Sequence, residues 1–428
     1  MNINIITLGC SKNLVDSEYL LRQFKFNGHN VFHDDTEVEA DMVILNTCGF
    51  ILDAKEESIT QILHYADLKS RGKLKKLIVM GCLSERYKDD LRNEIPEVDA
   101  YFGVWDHREI IQFTGSRYYT ELANDRLVTT LSHLAFLKIS EGCNRSCAFC
   151  AIPGIRGRQR SRSLDDLEEE AANLAGRGAK EIILIAQDLT NYGIDLGGKK
   201  LLPELLRQLS ANEDISWLRM HYAYPSGFPE EVIEIMANDP KVCRYMDIPI
   251  QHINDRILTS MNRGHSRKKL EELLLKFRTR IPDVALRTTL MVGYPGETEA
   301  EFRELYDFVK DFRFDRLGVF AYSHEDGTAA GKMKDDVPEE VKRERVDQIM
   351  QLQQDISLDI NQSKIGKVFK VLIDSEEADH YIGRTEFDSP EVDNEVLVHK
   401  KAKLPVGEFC NVKINYAGEF DLFGDPVL

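Results

Sequence analysis

The sequence predicts an α/β protein in three parts. Residues 1–130 read as a doubly wound α/β domain, 131–360 as a partial barrel of six βα units, and 361–428 as a small five-stranded β-barrel. Three observations carry this reading. Short apolar runs alternate with amphipathic stretches as far as residue 322, the pattern of parallel strands flanked by helices. Cysteines recur directly after several of those runs. From residue 361 the pattern turns to brief alternating runs separated by turn residues, as in a small antiparallel barrel. The length of 428 residues agrees, since it corresponds to about three domains of ordinary size.

In the first part the apolar runs are Ile3–Leu8, Met42–Leu45 and Leu77–Met80, each suited to a buried parallel strand. Helical stretches, Asp16–Phe26 and Asp53–Ser70, separate them. Each run is followed by a cysteine beside a glycine: Gly9-Cys10, Cys48-Gly49 and Gly81-Cys82. Ligands of open α/β sheets bind just beyond the carboxyl ends of the strands, so three thiols at three such ends could converge. A thiol triplet suits an iron–sulfur cluster with an open iron, or zinc with an open position. The alternative is three unrelated core cysteines, because free Cys is commonly buried.

In the second part the candidate strands are Ala135–Ser140, Glu181–Gln187, Trp217–Ala223, Tyr245–Gln251, Ala285–Val292 and Leu317–Tyr322. The clearest helices are Leu164–Gly176, Phe228–Ala237, Arg267–Arg280 and Glu299–Phe312. Barrels of this kind carry their chemistry at the carboxyl ends of the strands. Just after the first strand comes Cys143-Asn144-Arg145-Ser146-Cys147-Ala148-Phe149-Cys150. A compact loop of this spacing can wrap three thiolates around one face of a 4Fe–4S cube. No fourth cysteine follows nearby, so one iron stays open. Zinc would need a fourth ligand, and no His or Cys stands at the usual spacing.

This loop resembles the hallmark of the radical S-adenosylmethionine (radical SAM) superfamily. The resemblance implies that the open iron chelates SAM, and that one electron then cleaves SAM to a 5′-deoxyadenosyl radical. Side chains alone cannot do such chemistry. Val292-Gly293-Tyr294-Pro295-Gly296-Glu297-Thr298 resembles the turn with which the superfamily packs SAM, which puts Gly293, Gly296 and Glu297 in the expected SAM pocket. An ordinary strand–helix turn is the other reading. Gln187-Asp188 and Gln251-His252 are polar pairs at strand ends, and Gln187 and Gln251 are the further candidates to line the pocket. Arg156, Arg158, Arg160 and Arg162 would share one face of an extended segment, either to bind an anion or as a solvated basic stretch. Cys243 and Cys410 stand outside both triplets and read as structural.

After a charged helix from Pro338 to about Asn361, the third part offers strands Val368–Ile373, His380–Thr385, Glu395–His399, Phe409–Tyr416 and Phe420–Leu422. Such barrels often bind nucleic acid. Residues 361–428 carry 8 Lys and Arg against 13 Asp and Glu, however, a net of -5, which argues for a basic protein partner instead. The whole chain has a net charge of -17 and hence no general attraction to nucleic acid or an anionic membrane. No apolar run approaches the roughly 18 residues of a transmembrane helix, and Met1–Leu8 reads as a strand instead of a signal peptide. The expectation is a cytoplasmic protein, with no membrane association, whose eight cysteines are ligands or nucleophiles instead of disulfides.

Taken together, the spaced cysteines, the radical SAM barrel and a TRAM-like β-barrel resemble the radical SAM methylthiotransferase family over essentially the full chain. The resemblance implies a transferase with two 4Fe–4S clusters and SAM as cofactors: a radical SAM cluster on Cys143, Cys147 and Cys150, and a second cluster on Cys10, Cys48 and Cys82 that carries the sulfur to be methylated and inserted. One branch, the MiaB type, modifies an adenosine in tRNA. The other, the RimO type, modifies the β-carbon of an aspartate in the twelfth protein of the small ribosomal subunit. Leu8-Gly9-Cys10-Ser11-Lys12-Asn13-Leu14-Val15-Asp16-Ser17-Glu18, Ala151-Ile152-Pro153-Gly154-Ile155-Arg156-Gly157 and Ile248-Pro249-Ile250-Gln251-His252-Ile253 look like the second branch, and the tRNA branch usually has an arginine near Glu325. The implied partners are the ribosomal protein or the assembled subunit, an electron donor and a sulfur source, with tRNA under the alternative only. A non-catalytic iron–sulfur protein that binds ribosomes or RNA is the remaining reading. It would have no use for an open iron at a barrel mouth.

Overall fold

The computed structural model of the protein describes residues 1–427. Leu428, the expected last residue of the C-terminal barrel, lies outside the described residues.

The first part runs β1 (Asn2–Thr7), α1 (Ser11–Phe26), β2 (Asn30–His33), β3 (Met42–Thr47), α2 (Leu52–Ser70), β4 (Lys76–Gly81), α3 (Cys82–Glu94), β5 (Ala100–Tyr101) and α4 (His107–Phe113). Its five strands form a parallel sheet in the order β2-β1-β3-β4-β5. Ile5, Ile44 and Ile78 pair across it in register. Separate apolar clusters cover its two faces, which is why β3 is buried at every position. The sequence reading did not include β2, β5, α3 or α4. β2 is a partly exposed edge strand, and β5 is two residues long, too short to show a period.

The second part runs β6 (Leu134–Lys138), β7 (Ser140–Glu141), α5 (Ile152–Ile155), β8 (Arg160–Ser161), α6 (Leu164–Gly176), β9 (Glu181–Ile185), α7 (Ile194–Gly197), α8 (Leu202–Ala211), β10 (Trp217–Met220), α9 (Glu231–Asn238), β11 (Tyr245–Asp247), α10 (Asp255–Ser260), α11 (Arg267–Arg280), β12 (Ala285–Val292), α12 (Glu299–Phe312) and β13 (Arg316–Ala321). Two parallel three-stranded sheets, β6-β9-β10 and β11-β12-β13, meet where the Cys243 N–H donates to the Leu218 carbonyl at 2.9 Å. The result is a six-stranded barrel with free edges at β6 and β13. Side-chain caps set several helix starts: Ser163 for α6, Ser266 for α11, and a Thr298–Glu301 capping box for α12.

A long helix, α13 (Glu339–Gln362), packs along β12 and β13 and leads to the last part. There β14 (Val368–Glu376), β15 (His380–Thr385), β16 (Val396–His399), β17 (Phe409–Ala417) and β18 (Leu422–Pro426) close a barrel in the order β14-β15-β16-β18-β17. This barrel docks against the amino ends of the central strands, where Trp217, Cys243, Tyr245, Ala285 and Leu372 form one apolar cluster. The loop of residues 386–395 enters the central barrel from that end. Asp388 pairs with Arg316, Asp393 accepts from the Tyr245 hydroxyl at 2.7 Å, and Ser389 lies 2.9 Å from the His221 ring. Arg219, Tyr245 and Arg287 alternate with residues of the helix-facing core, so they point inward to meet this loop. Among the described residues no helix is long and apolar enough to cross a membrane.

Candidate active site

The cysteines of the first part stand where strand order reverses, between β1 and β3, and at the neighbouring end of β4. Crevices of this kind hold ligands in doubly wound sheets. Cys10 is the N-cap of α1, Cys48 follows β3 directly, and Cys82 opens α3. Two of the three thiols therefore sit at helix amino ends. Gly9 has φ 95°, and a Cβ there would lie 2.7 Å from the Cβ of Cys48. Gly81 has φ 98°, and a Cβ there would lie 2.6 Å from the Thr47 carbonyl oxygen. The glycines beside the cysteines are thus what allows the strand ends to close up.

These thiols run from exposed Cys10 through half-buried Cys48 to buried Cys82. The Cys48 backbone is pinned by Ser58, whose hydroxyl accepts from its N–H at 3.1 Å and donates to its carbonyl at 2.9 Å. Burial pushes the Cys82 thiol up to about 11, and the neighbouring Arg156 guanidinium works against that rise. Asn13 connects the two groups. Its Oδ1 accepts from Arg156 Nη2 at 2.5 Å and lies 3.9 Å from Cys82 Sγ.

The barrel cysteines lie in the loop after β7, at the carboxyl end of β6. Cys143 N–H donates to the Gly157 carbonyl at 3.1 Å, and Cys150 N–H to the Cys147 carbonyl at 3.1 Å, which folds the loop back on itself. Arg263 Nη1 donates to Cys147 Sγ at 3.2 Å, and the Tyr224 hydroxyl is 3.7 Å from the same sulfur. Tyr224 is sandwiched between Arg145 and Arg263, 4.0 and 4.3 Å from its ring centre. Arg145 is held in turn by Asp188 at 2.8 Å. Burial raises the Cys143 thiol to about 11 and the Cys150 thiol to about 12. A thiol so disfavoured as a free anion is suited to giving up its proton to a metal.

Both triplets offer sulfur alone, the donor chemistry of iron–sulfur clusters. Within each triplet the thiols feel one another's charge. They are set apart and do not close on a point: among the described residues no three His, Cys, Asp or Glu side chains stand tightly enough for a single metal ion.

The structure brings the two triplets to one seam. Arg156, which belongs to the barrel's cysteine loop, is 2% exposed and pairs with Glu141 at 2.7 Å and with Asp16 of α1 at 3.4 Å. Lys138 of β6 joins the same two carboxylates. Cys82, Val104 and Ile155 pack together across the seam. On the barrel's other free edge, Glu325 after β13 is clamped by Lys55 of α2 at 2.8 Å and by Arg86 of α3 at 3.0 Å. The first part therefore bridges both edges of the open barrel.

The four arginines after the loop do not share a face. The segment is extended only at β8: Arg156 is the C-cap of α5, and the chain turns through Gly157, whose φ is 73°, and bends at Arg158, so their fates diverge. Arg156 is buried in the seam, Arg158 is exposed, Arg160 lies over Trp105 at 4.8 Å, and Arg162 pairs with Glu170 at 2.5 Å.

Of the expected SAM-pocket residues, Gln187 donates to Glu141 and so joins the seam network. Gln251 extends β11 by bridging to Leu290, in a left-handed conformation with φ 71°. The Gly293 turn packs closely on Lys342 of α13, and its Tyr294 shares an apolar cluster with Ala148 of the cysteine loop. The Gly296 N–H donates to Asp336 at 2.7 Å. Glu297 is paired with Arg345 at 2.8 Å, yet burial still holds its carboxyl above the usual range.

Comparison with known proteins bears on both triplets. Residues 137–309 match the radical SAM superfamily, residues 2–103 match Uncharacterized protein family UPF0004, and residues 365–427 match the TRAM domain. The chain is 54% identical to the "Ribosomal protein uS12 methylthiotransferase RimO" of Flavobacterium psychrophilum, covering 99% of this chain and 98% of that one. It is 50% identical to the protein of the same name from Parabacteroides distasonis, over 99% and 98% of the two chains. This chain belongs to the RimO family of methylthiotransferases. RimO-type proteins are radical SAM transferases that use SAM and two 4Fe–4S clusters, which favours clusters over zinc, and the MiaB branch is not favoured. Among solved structures, the radical S-adenosylmethionine methyltransferase TsrM from Kitasatospora setae, with cobalamin and a [4Fe-4S] cluster bound, matches 86% of this chain and 80% of its own with a TM-score of 0.56. At 14% identity this likeness speaks to the fold alone.

Several residues of this RimO-family site escaped the sequence reading. Arg263 and Tyr224 touch Cys147 from 116 and 77 residues away, and no local motif announces them. Lys12 and Asn13 were visible only as part of the Gly9-Cys10 motif, with no role attached. The barrel's acidity also has a second use. Asp374, Glu386, Asp388, Asp393 and Glu408 engage His133, Arg244, Arg316, Arg287 and Lys180, so they fasten the small barrel to the central one.

Proposed function

We propose that this chain adds a methylthio group to the β-carbon of an aspartate in ribosomal protein uS12. In this reading Cys143, Cys147 and Cys150 hold the radical SAM cluster, and Cys10, Cys48 and Cys82 hold the second. The observation that carries the reading is the seam: two all-sulfur triplets from different domains, joined through Arg156 and Asn13. A single cluster enzyme has no need to bury a guanidinium between two such loops. The name of the full-length relatives supports uS12 as the substrate.

When bound, the cofactors supply a radical able to take hydrogen from an unactivated carbon, and a carrier for the sulfur. The chain's own residues prepare the setting. Arg263 donates a hydrogen bond to a ligand sulfur and so tempers its charge, a lever on redox potential. Asp188, by holding Arg145, fixes the shape of the cysteine loop. The amino ends of α1 and α3, together with Arg156, offset the charge of the second triplet. Gln187, Gln251, Gly293, Gly296 and Glu297 are assigned to the SAM side of the barrel mouth. The electron donor and the sulfur source are external partners. Of the outer acids of the small barrel, Glu376 is paired with Lys400 at 2.8 Å, and Glu377 and Asp379 give a basic ribosomal protein an attractive surface.

The test is product analysis. Reconstituted protein, SAM, a reductant and sulfide are incubated with uS12 and, separately, with tRNA. Methylthiolated aspartate is the expected product; methylthiolated adenosine in tRNA with unmodified uS12 would overturn the reading.

A further inference from the structure

Lys12 is a largely buried lysine whose ammonium keeps some contact with solvent and has no counter-charge among the described residues. It is 7% exposed, and among the described residues its ammonium makes no hydrogen bond or ion pair. Burying a charge is costly unless it is paired. Every other buried Lys or Arg meets a carboxylate or, for Arg263, the Cys147 sulfur. In a chain of net charge -17, a lone unpaired ammonium is conspicuous.

Its place is specific. Lys12 lies two residues after Cys10, in the first turn of α1. Its Nζ is 3.2 Å from the centre of the Tyr222 ring, a contact that holds a cation without neutralising it. Tyr222 is fixed in turn: φ is 67° and its N–H donates to Asp247 at 3.0 Å. Two residues further along is Tyr224, whose hydroxyl lies 3.7 Å from Cys147 Sγ. Two residues of chain span at most about 7 Å. Short chain segments thus tie the ammonium to both triplets, through α1 to Cys10 and through Tyr222 and Tyr224 to Cys147.

We propose that Lys12 grips the carboxylate of the substrate aspartate. This rests on the reading that the substrate is an aspartate modified at its β-carbon. In that residue the carboxyl carbon is bonded directly to the reacting carbon, so a cation that fixes the carboxylate also fixes the reacting carbon. The unpaired charge is completed only when the substrate arrives. The same contact rejects an asparagine of equal shape, because a neutral amide that covers the ammonium takes it from water without compensating its charge.

The test uses full-length reconstituted protein and two forms of uS12, the natural one and one with the target aspartate changed to Asn. Binding affinity and KM are measured for wild type, K12M and K12R, with iron content and circular dichroism to establish folding. Wild type is expected to bind the Asp form about tenfold or more tightly than the Asn form, the worth of a charged hydrogen bond. K12M should bind the two alike and raise KM for uS12 without a matching rise for SAM or sulfide. K12R should recover part of the preference. A folded K12M that still prefers the Asp form overturns the assignment, as does a defect confined to SAM or sulfide. Wild type that modifies uS12 yet binds both forms alike overturns the Lys12 assignment alone. Wild type that modifies tRNA and not uS12 overturns the substrate reading, and Lys12 with it.

Discussion

Arg156 and Cys82 come from different domains and lie side by side: the guanidinium that follows the barrel's cysteine loop donates to Asn13 at 2.5 Å, and the Cys82 sulfur stands 3.9 Å from the same oxygen. The guanidinium thus ties the second triplet to the loop that carries the first.

This pairing makes Arg156 a point of failure. Removing one member of a buried charge network costs about 3–5 kcal/mol. Arg156→Met should lower thermal stability by an amount of that order and release iron from the Cys10, Cys48 and Cys82 site. Arg156→Lys keeps the charge but not the planar fork, and should fall between the two. Melting temperature and iron content measured together check this; a variant that melts normally and keeps its iron would remove Arg156 from the account.

Iron content tests the ligand assignment. Anaerobically reconstituted wild type should hold about eight irons, two clusters of four. Replacing Cys143, Cys147 and Cys150 together by Ala should leave about half of that, and so should replacing Cys10, Cys48 and Cys82. A triple variant with the full iron count contradicts the assignment of that triplet.

The two sites should also divide the work. Without Cys10, Cys48 and Cys82, methylthiolation should stop while SAM is still reductively cleaved at the barrel. Loss of 5′-deoxyadenosine in a folded variant that retains the barrel iron would mean that the sites are not separable.

Buried His252 predicts an acid-side loss of stability. Burial lowers its pKa from 6.5 to about 3. Above pH 6.5 the ring is neutral in both folded and unfolded chains and contributes no slope. Between 6.5 and about 3 the unfolded chain takes a proton that the folded chain refuses, so stability falls as pH falls. At pH 5 this amounts to about 2 kcal/mol, at about 1.4 kcal/mol per pH unit. Glu297, 3.8 Å from the ring and raised by burial, titrates in the opposite sense, so His252→Asn is compared in a Glu297→Gln background, which isolates the histidine. Denaturant melts at pH 5 and 7 should show a smaller pH difference in the variant; an equal difference would rule His252 out as the cause.

Much of this was legible in the chain. The helices Leu164–Gly176, Arg267–Arg280 and Glu299–Phe312 begin and end as expected, because each has an amphipathic run and a capping Ser or Thr immediately before it. The glycine–cysteine pairs were readable because the close approach of Gly9 and Gly81 to neighbouring strand ends is a demand on residue type. The seam was not. Arg156 with Asp16, Arg263 with Cys147, and Glu325 with Arg86 are pairs separated by 140, 116 and 239 residues, created by docking and not by local pattern. The alternate spacing of Arg156, Arg158, Arg160 and Arg162 misled for a related reason: period-two spacing has meaning only in an extended chain, and here the chain leaves α5 at Arg156, turns at Gly157 and becomes extended only at Arg160.

The central claim is that one site makes the radical and that its target is the aspartate β-carbon beside the sulfur-carrying site. Following a label tests it most directly. Ribosomal protein uS12 is prepared with deuterium on its aspartate β-carbons and incubated with the reconstituted enzyme, SAM, reductant and sulfide. The account predicts deuterium in the 5′-deoxyadenosine, together with loss of one deuterium from the aspartate that gains the methylthio group. Methylthiolated aspartate formed alongside 5′-deoxyadenosine that carries no deuterium would contradict it.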